Sequence, residues 1–154
     1  MILNRQRAVR LSTRALESFL LRVRCELDLQ QAQVTVCLVS DAEIAGMNES
    51  FRKKRGPTDV LSFPAVKFRR PSRSKRRPAS VASSSLDSDT SLGDIAIAPA
   101  VAQRNAKNFG RTLPAELKIL ILHGVLHLLG FDHEADRGEM DRTEKKLRRR
   151  LGLA

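Results

Sequence analysis

Residues 114–133 read PAELKILILHGVLHLLGFDH, and they hold every histidine of the chain: His123, His127 and His133. Pro114 suits the first turn of a helix, where its missing N–H would have had no partner anyway. From Ala115 to Leu129 apolar residues occupy ten of fifteen positions, so the helix is read as largely buried. Gly130 allows the positive φ that ends such a helix. His123 and His127 stand at i and i+4, on one face, with Cβ atoms about 6 Å apart. Two imidazoles so placed can both reach one zinc ion at about 2.0–2.1 Å. Beyond Gly130 the chain can double back and bring His133 over the same face. Three protein ligands leave a fourth tetrahedral position for water, the arrangement of a catalytic zinc rather than a closed structural one.

A single histidine in an apolar helix is ordinarily a satisfied core residue. All three histidines at H-x3-H-x5-H, with a glycine between the last two, is a much narrower coincidence. The same spacing belongs to the metzincin peptidases, HExxHxxGxxH. Those enzymes carry a glutamate after the first histidine to take the proton from water; here position 124 is glycine, which has no group to accept one.

Outward from this stretch, the pattern is of a small α/β (α+β) domain spanning 1–154, with a mixed sheet of about four strands, helices packed on it and the metal site at the end of the buried helix. Ser12 precedes a helix on which Leu16, Phe19, Leu20 and Val23 recur at helical spacing. Ala32–Val39 is short and β-branched, a strand. Ser40-Asp41-Ala42-Glu43 is a capping box and opens a helix to about Phe51. Asp59–Phe63 reads as a second strand closed by Pro64, and the apolar run after Asp94 as a third. Pro99 opens a helix ending near Gly110. The last helix is expected over Glu134–Leu151, acids first and bases last, which complements its dipole.

Between the second and third strands, residues 65–91 have no apolar periodicity. They carry seven Lys or Arg against two Asp and are rich in Ser, which reads as a basic disordered insertion. Over the whole chain 28 Lys and Arg stand against 17 acids, a net charge of +11. That surplus favours a polyanionic partner through counterion release, without separating RNA from DNA or an acidic membrane surface. Neutralising the bases of the insertion should flatten the salt dependence of such binding. With six Phe and neither Trp nor Tyr, an aromatic platform for base stacking is not expected. Cys25 and Cys37 lack CxxC spacing and read as buried free thiols of a reducing compartment. No apolar run reaches the roughly 18 residues of a membrane span, and the start of the chain lacks a signal-peptide core. A cytoplasmic protein is expected. The oligomeric state is not legible.

With these residues in view, the chain resembles the YbeY family of metal-dependent endoribonucleases, also called rRNA maturation factors. HGVLHLLGFDHE, residues 123–134, matches the family's HGxLHLxGyDH signature except at Phe131, where tyrosine is common. Asn48-Glu49-Ser50-Phe51-Arg52, then Pro57-Thr58-Asp59-Val60-Leu61-Ser62-Phe63-Pro64, matches a second motif, and Leu92-Gly93-Asp94-Ile95 a third. The insertion 65–91 departs from the family by being basic and long. The resemblance implies that His123, His127 and His133 hold Zn2+, one per chain, and that Arg52 is the functional arginine beside it. It also implies cleavage of single-stranded RNA, in maturation of the 16S rRNA 3′ end and in ribosome quality control, with the small ribosomal subunit as partner.

On that reading Arg52 neutralises charge on the phosphorane-like transition state with its planar fork of donors. The bland alternative is one more solvated base in the run Arg52-Lys53-Lys54-Arg55. The general base stays open: Asp132 is a candidate, though it could instead orient an imidazole or cap the final helix, and attack by the RNA's own 2′-OH would need no protein base. Two other functions stay open as well: an RNA- or ribosome-binding factor with a structural zinc, and a zinc hydrolase of another substrate class.

Overall fold

The computed structural model describes residues 1–65, 90–132 and 136–153. Among them are four strands and five helices: β1 (Ile2–Asn4), α1 (Thr13–Glu26), β2 (Ala32–Leu38), α2 (Asp41–Arg52), β3 (Val60–Pro64), β4 (Thr90–Ile97), α3 (Pro99–Asn108), α4 (Leu113–Leu128) and α5 (Glu139–Arg150). The strands form one mixed sheet in the order β1-β2-β4-β3. β1 and β4 run parallel to β2, while β3 runs antiparallel to β4 at the sheet edge. The expected α/β class with a mixed four-stranded sheet is what the chain adopts.

The strand alternation explains how the sheet is sandwiched. Along β2, Val34, Val36 and Leu38 are fully buried and join Leu16, Phe19, Leu20 and Val23 of α1, and Ile121, Leu122 and Val125 of α4, in one core. The opposite face is covered more thinly, by Ile44 of α2 with Leu61, Ala96, Ala98 and Val101, and by partly buried Cys37, Met47 and Phe63. α4 lies so close to the sheet that a Cβ on Gly124 would sit 2.9 Å from Ile95 Cδ1. Glycine at 124 is therefore a packing requirement of the helix–sheet contact. The Ser62 hydroxyl of β3 also donates to the Gly124 carbonyl, at 3.2 Å.

Ser12, the cap expected for α1, sits at the N-cap position without a side-chain hydrogen bond, whereas two other helix starts are capped by a side chain. Ser40 accepts from the Glu43 N–H at 3.2 Å, and Thr112 accepts from Ala115 at 3.3 Å, one residue before α4 begins. At the far end of α4, Gly130 adopts φ +95°. Its N–H bonds to the His127 carbonyl at 3.0 Å and that of Phe131 to Leu126 at 3.1 Å, a Schellman closure that turns the chain sharply after His127.

Four expectations are corrected. β1 was not foreseen: three residues are too few to show a pattern, and its place comes from parallel pairing of Ile2–Asn4 with Val36–Leu38. The last helix starts at Glu139, not Glu134, because Gly138 sits at φ +87° and the Asp136 carboxylate caps the N–H groups of Gly138 and Met140 at 2.9 and 2.8 Å. The insertion is shorter than read, since Thr90 and Ser91 pair with Ala32 and Gln33 in the sheet. Its residues 66–89 lie outside the described residues. Cys25 is exposed, two positions past Val23 and off the buried stripe of α1, while Cys37 is partly buried. Burial first, then the Asp94 carboxylate, pushes the Cys37 thiol above its ordinary value. Among the described residues no helix is long and apolar enough to cross a membrane.

Candidate active site

A cleft of about 800 Å³ follows the β3 edge of the sheet, between the C-terminal ends of α2 and α4. Phe51 and Arg52 line it from α2, Thr58–Pro64 from β3 and the turn before it, His123 and His127 from α4, and Gly130–Asp132 from the turn after α4. Arg52 thus shares one cleft with His123 and His127, although they are far apart in the chain. His133, the third histidine of the expected set, lies outside the described residues.

The two described histidines converge. Their Nε2 atoms are 3.1 Å apart, with ring centroids 4.6 Å apart and planes at 74°. Two nitrogens on adjacent corners of a zinc tetrahedron are separated by about 3.3 Å, given metal–nitrogen bonds of about 2.0–2.1 Å. The pair therefore suits a shared divalent ion, and neutral imidazole is a good ligand for one. Among the described residues no third His, Cys, Asp or Glu completes a metal-binding group with them.

A residue that sequence reading missed sets the orientation of the first ring. Glu144 of α5 accepts from His123 Nδ1 at 2.9 Å and is itself paired with Arg148 at 3.0 Å. Only 8% of Glu144 is exposed, so its charge is largely withdrawn from water. That burial alone would raise its carboxyl, but the hydrogen bond with His123 and the Arg148 charge outweigh it and hold the carboxyl below its ordinary value. An ionised carboxylate can only accept, so Nδ1 of His123 carries the proton and, in the neutral ring, Nε2 presents its lone pair to the cleft. A sequence signal did exist. Met140, Glu144, Leu147 and Leu151 form the buried stripe of this end of the chain, and a lone acid in such a stripe needs a partner.

The α2 side of the cleft is built differently. Arg52 is the last residue of α2, and Lys53 leaves the helix in the left-handed region at φ 55°. Arg52, Lys53, Lys54 and Arg55 are all exposed. Their loop is pinned by buried Asn48, whose side-chain amide donates to the Gly56 carbonyl at 2.9 Å. Asp59 is engaged by the Asn105 amide of α3 at 3.3 Å, consistent with a role in shaping the turn. Exposed Asp132 lines the cleft just past the Schellman turn, and its carbonyl accepts from Asp136 at 3.0 Å. The capping role weighed for its side chain falls to Asp136.

Known proteins similar to this chain agree among themselves. A family model described as Endoribonuclease YbeY matches residues 1–152. A protein of Koribacter versatilis named Endoribonuclease YbeY is 40% identical over 153 residues, covering 99% of this chain and 86% of its own. One of the same name from Solibacter usitatus is 40% identical over 139 residues, covering 90% of this chain and 79% of its own. The solution structure of TM1509 from Thermotoga maritima superposes with a TM-score of 0.59 at 28% identity, over 98% of this chain and 89% of that one. With a match that runs from the first strand to the end of the last helix, the chain belongs to the YbeY endoribonuclease family.

Proposed function

We propose that the cleft is the active site of an endoribonuclease that hydrolyses single-stranded RNA with the help of one bound Zn2+. The observation that carries the reading is the convergence of two imidazole Nε2 atoms, 3.1 Å apart, in a cleft that also holds an arginine. His123 and His127 would hold the ion together with His133. The chemistry such an ion supplies is Lewis acidity toward a phosphate oxygen and acidification of water near neutral pH.

The remaining work falls to the chain's own groups. Arg52 binds the scissile phosphate through paired N–H donors and stabilises the charge that grows on it in the transition state. Lys53, Lys54 and Arg55 draw in neighbouring phosphates without reading sequence. Glu144 holds the His123 ring in the tautomer and rotation that keep Nε2 facing the cleft. The attacking oxygen is either that of a water, whose proton Asp132 takes, or the RNA's own 2′-OH, whose proton passes to solvent; internal attack expels the 5′-oxygen and leaves a 2′,3′-cyclic phosphate end. The peptidase route has no glutamate at 124, and Ile95 leaves no room for one.

Family membership supports RNA as the substrate and extends the proposal to 16S rRNA 3′-end maturation and ribosome quality control on the small ribosomal subunit. The two free cysteines fit a reducing compartment, and we place the protein in the cytoplasm. The deciding experiment is metal analysis by mass spectrometry beside cleavage of single-stranded RNA. The wild type should carry about one zinc per chain and cut, and His127→Ala should lose both. A wild type that cuts RNA with no stoichiometric metal would remove the zinc from the reading.

A further inference from the structure

Six phenylalanines are too few for a broad stacking platform, but composition does not tell which ring faces solvent. The fold leaves Phe51 69% exposed at the end of α2. Its ring meets the half-buried Phe63 ring edge to face, with centroids 5.0 Å apart and planes at 70°. Both rings line the same cleft as His123, His127 and Arg52. Phe63 belongs to the core on the α2 side of the sheet, so it braces the exposed ring from behind.

We propose that Phe51 is a stacking post for one unpaired nucleobase of the RNA strand whose phosphate is cleaved in this cleft. The inference rests on the endoribonuclease reading and adds to it the basis for preferring single strands. The occupant is identified by what surrounds the ring. Arg52, Lys53, Lys54 and Arg55 follow it directly in the chain and are all exposed. Cations that hold a backbone beside an open aromatic face are the pairing that single-strand binders use. An uncharged apolar peptide would gain nothing from that cationic run, and membership of an endoribonuclease family selects RNA among the polyanions that would. A base locked in a duplex cannot reach the ring, since its faces are already stacked.

The chain has no Trp and no Tyr, so Phe51→Trp creates a single indole reporter at the site. In stopped-flow mixing, fast enough to precede cleavage, single-stranded RNA should quench that indole. An abasic strand of equal length and charge, and a perfect duplex, should not. Phe51→Ala should weaken binding of the base-bearing strand roughly 5- to 100-fold while leaving the abasic strand unaffected. Phe51→Leu, which keeps apolar bulk and loses the flat face, should resemble Ala. Circular dichroism checks that each variant stays folded. The inference is overturned if the indole is not quenched while wild type cleaves the same strand, or if Ala or Leu binds base-bearing RNA as tightly as Phe. It is overturned too if the Ala variant loses affinity equally for both strands, which would make the ring structural. Wild type that neither binds nor cuts RNA would sink the functional reading itself, a separate result.

Discussion

The two walls of the cleft obey different physical rules. The α4 wall is fixed by burial: its histidines ride on a helix whose other positions are mostly buried, whose end is locked by a Schellman turn, and whose first ring is held by a buried carboxylate. The α2 wall is the helix end, Phe51 and Arg52, from which a loop of exposed cations leads away, held at its base by Asn48. The difference teaches where accuracy is needed. If the histidines hold a metal, as proposed, they must meet bond lengths within tenths of an ångström, which takes packing and hydrogen bonds from behind. A flexible polyanion needs charge nearby more than fixed geometry, and solvated side chains supply it.

Arg52→Ala tests the division most severely. Turnover should fall about 10²–10³-fold, on the scale of removing one transition-state donor, while zinc content stays unchanged. Coupled loss of metal would show that the walls are one unit. Next in size, Glu144→Ala should weaken metal binding by about 10–100-fold in a chelator competition, before any assay of activity. Glu144→Gln, which keeps a hydrogen-bond acceptor without the charge, should fall between the two. Equal metal affinity in all three forms would mean that α5 does not support the α4 wall.

Neutralising Lys53, Lys54 and Arg55 together should weaken RNA binding at low salt and leave the metal in place. The slope of log K against log salt should become shallower by about 0.7 for each phosphate that these bases no longer neutralise. An unchanged slope would restrict the basic wall to Arg52. The smallest effect on chemistry belongs to Gly124→Ala. Its Cβ presses on Ile95 and should cost about 1–3 kcal/mol of stability in denaturant unfolding, with the metal still bound once folded. Loss of metal at native stability would show that the ligand geometry tolerates no shift of α4 at all.

Some of this was legible residue by residue. The i, i+4 histidines, the glycine that ends their helix and the Ser40 cap are local features, and local spacing follows from helix geometry alone. The same holds for the α1 stripe and for β2, whose period-two burial is written in its side chains. The start of α5 was misread because a favourable run of charges from Glu134 outweighed one glycine, whereas a positive φ at Gly138 decided the boundary.

By itself, then, the amino-acid order determined the types of every element but β1 and the apolar helix carrying a histidine pair, which depend on neighbours within a turn or two, and the net basic charge, which is composition alone. Only the tertiary structure decided that β1 joins the sheet, that Glu144 reaches His123 across 21 positions, and that Arg52 and Phe51 share a cleft with the histidines. Those are contacts between distant residues. They are set by how two faces of a twisted sheet bury their helices, which no local pattern encodes.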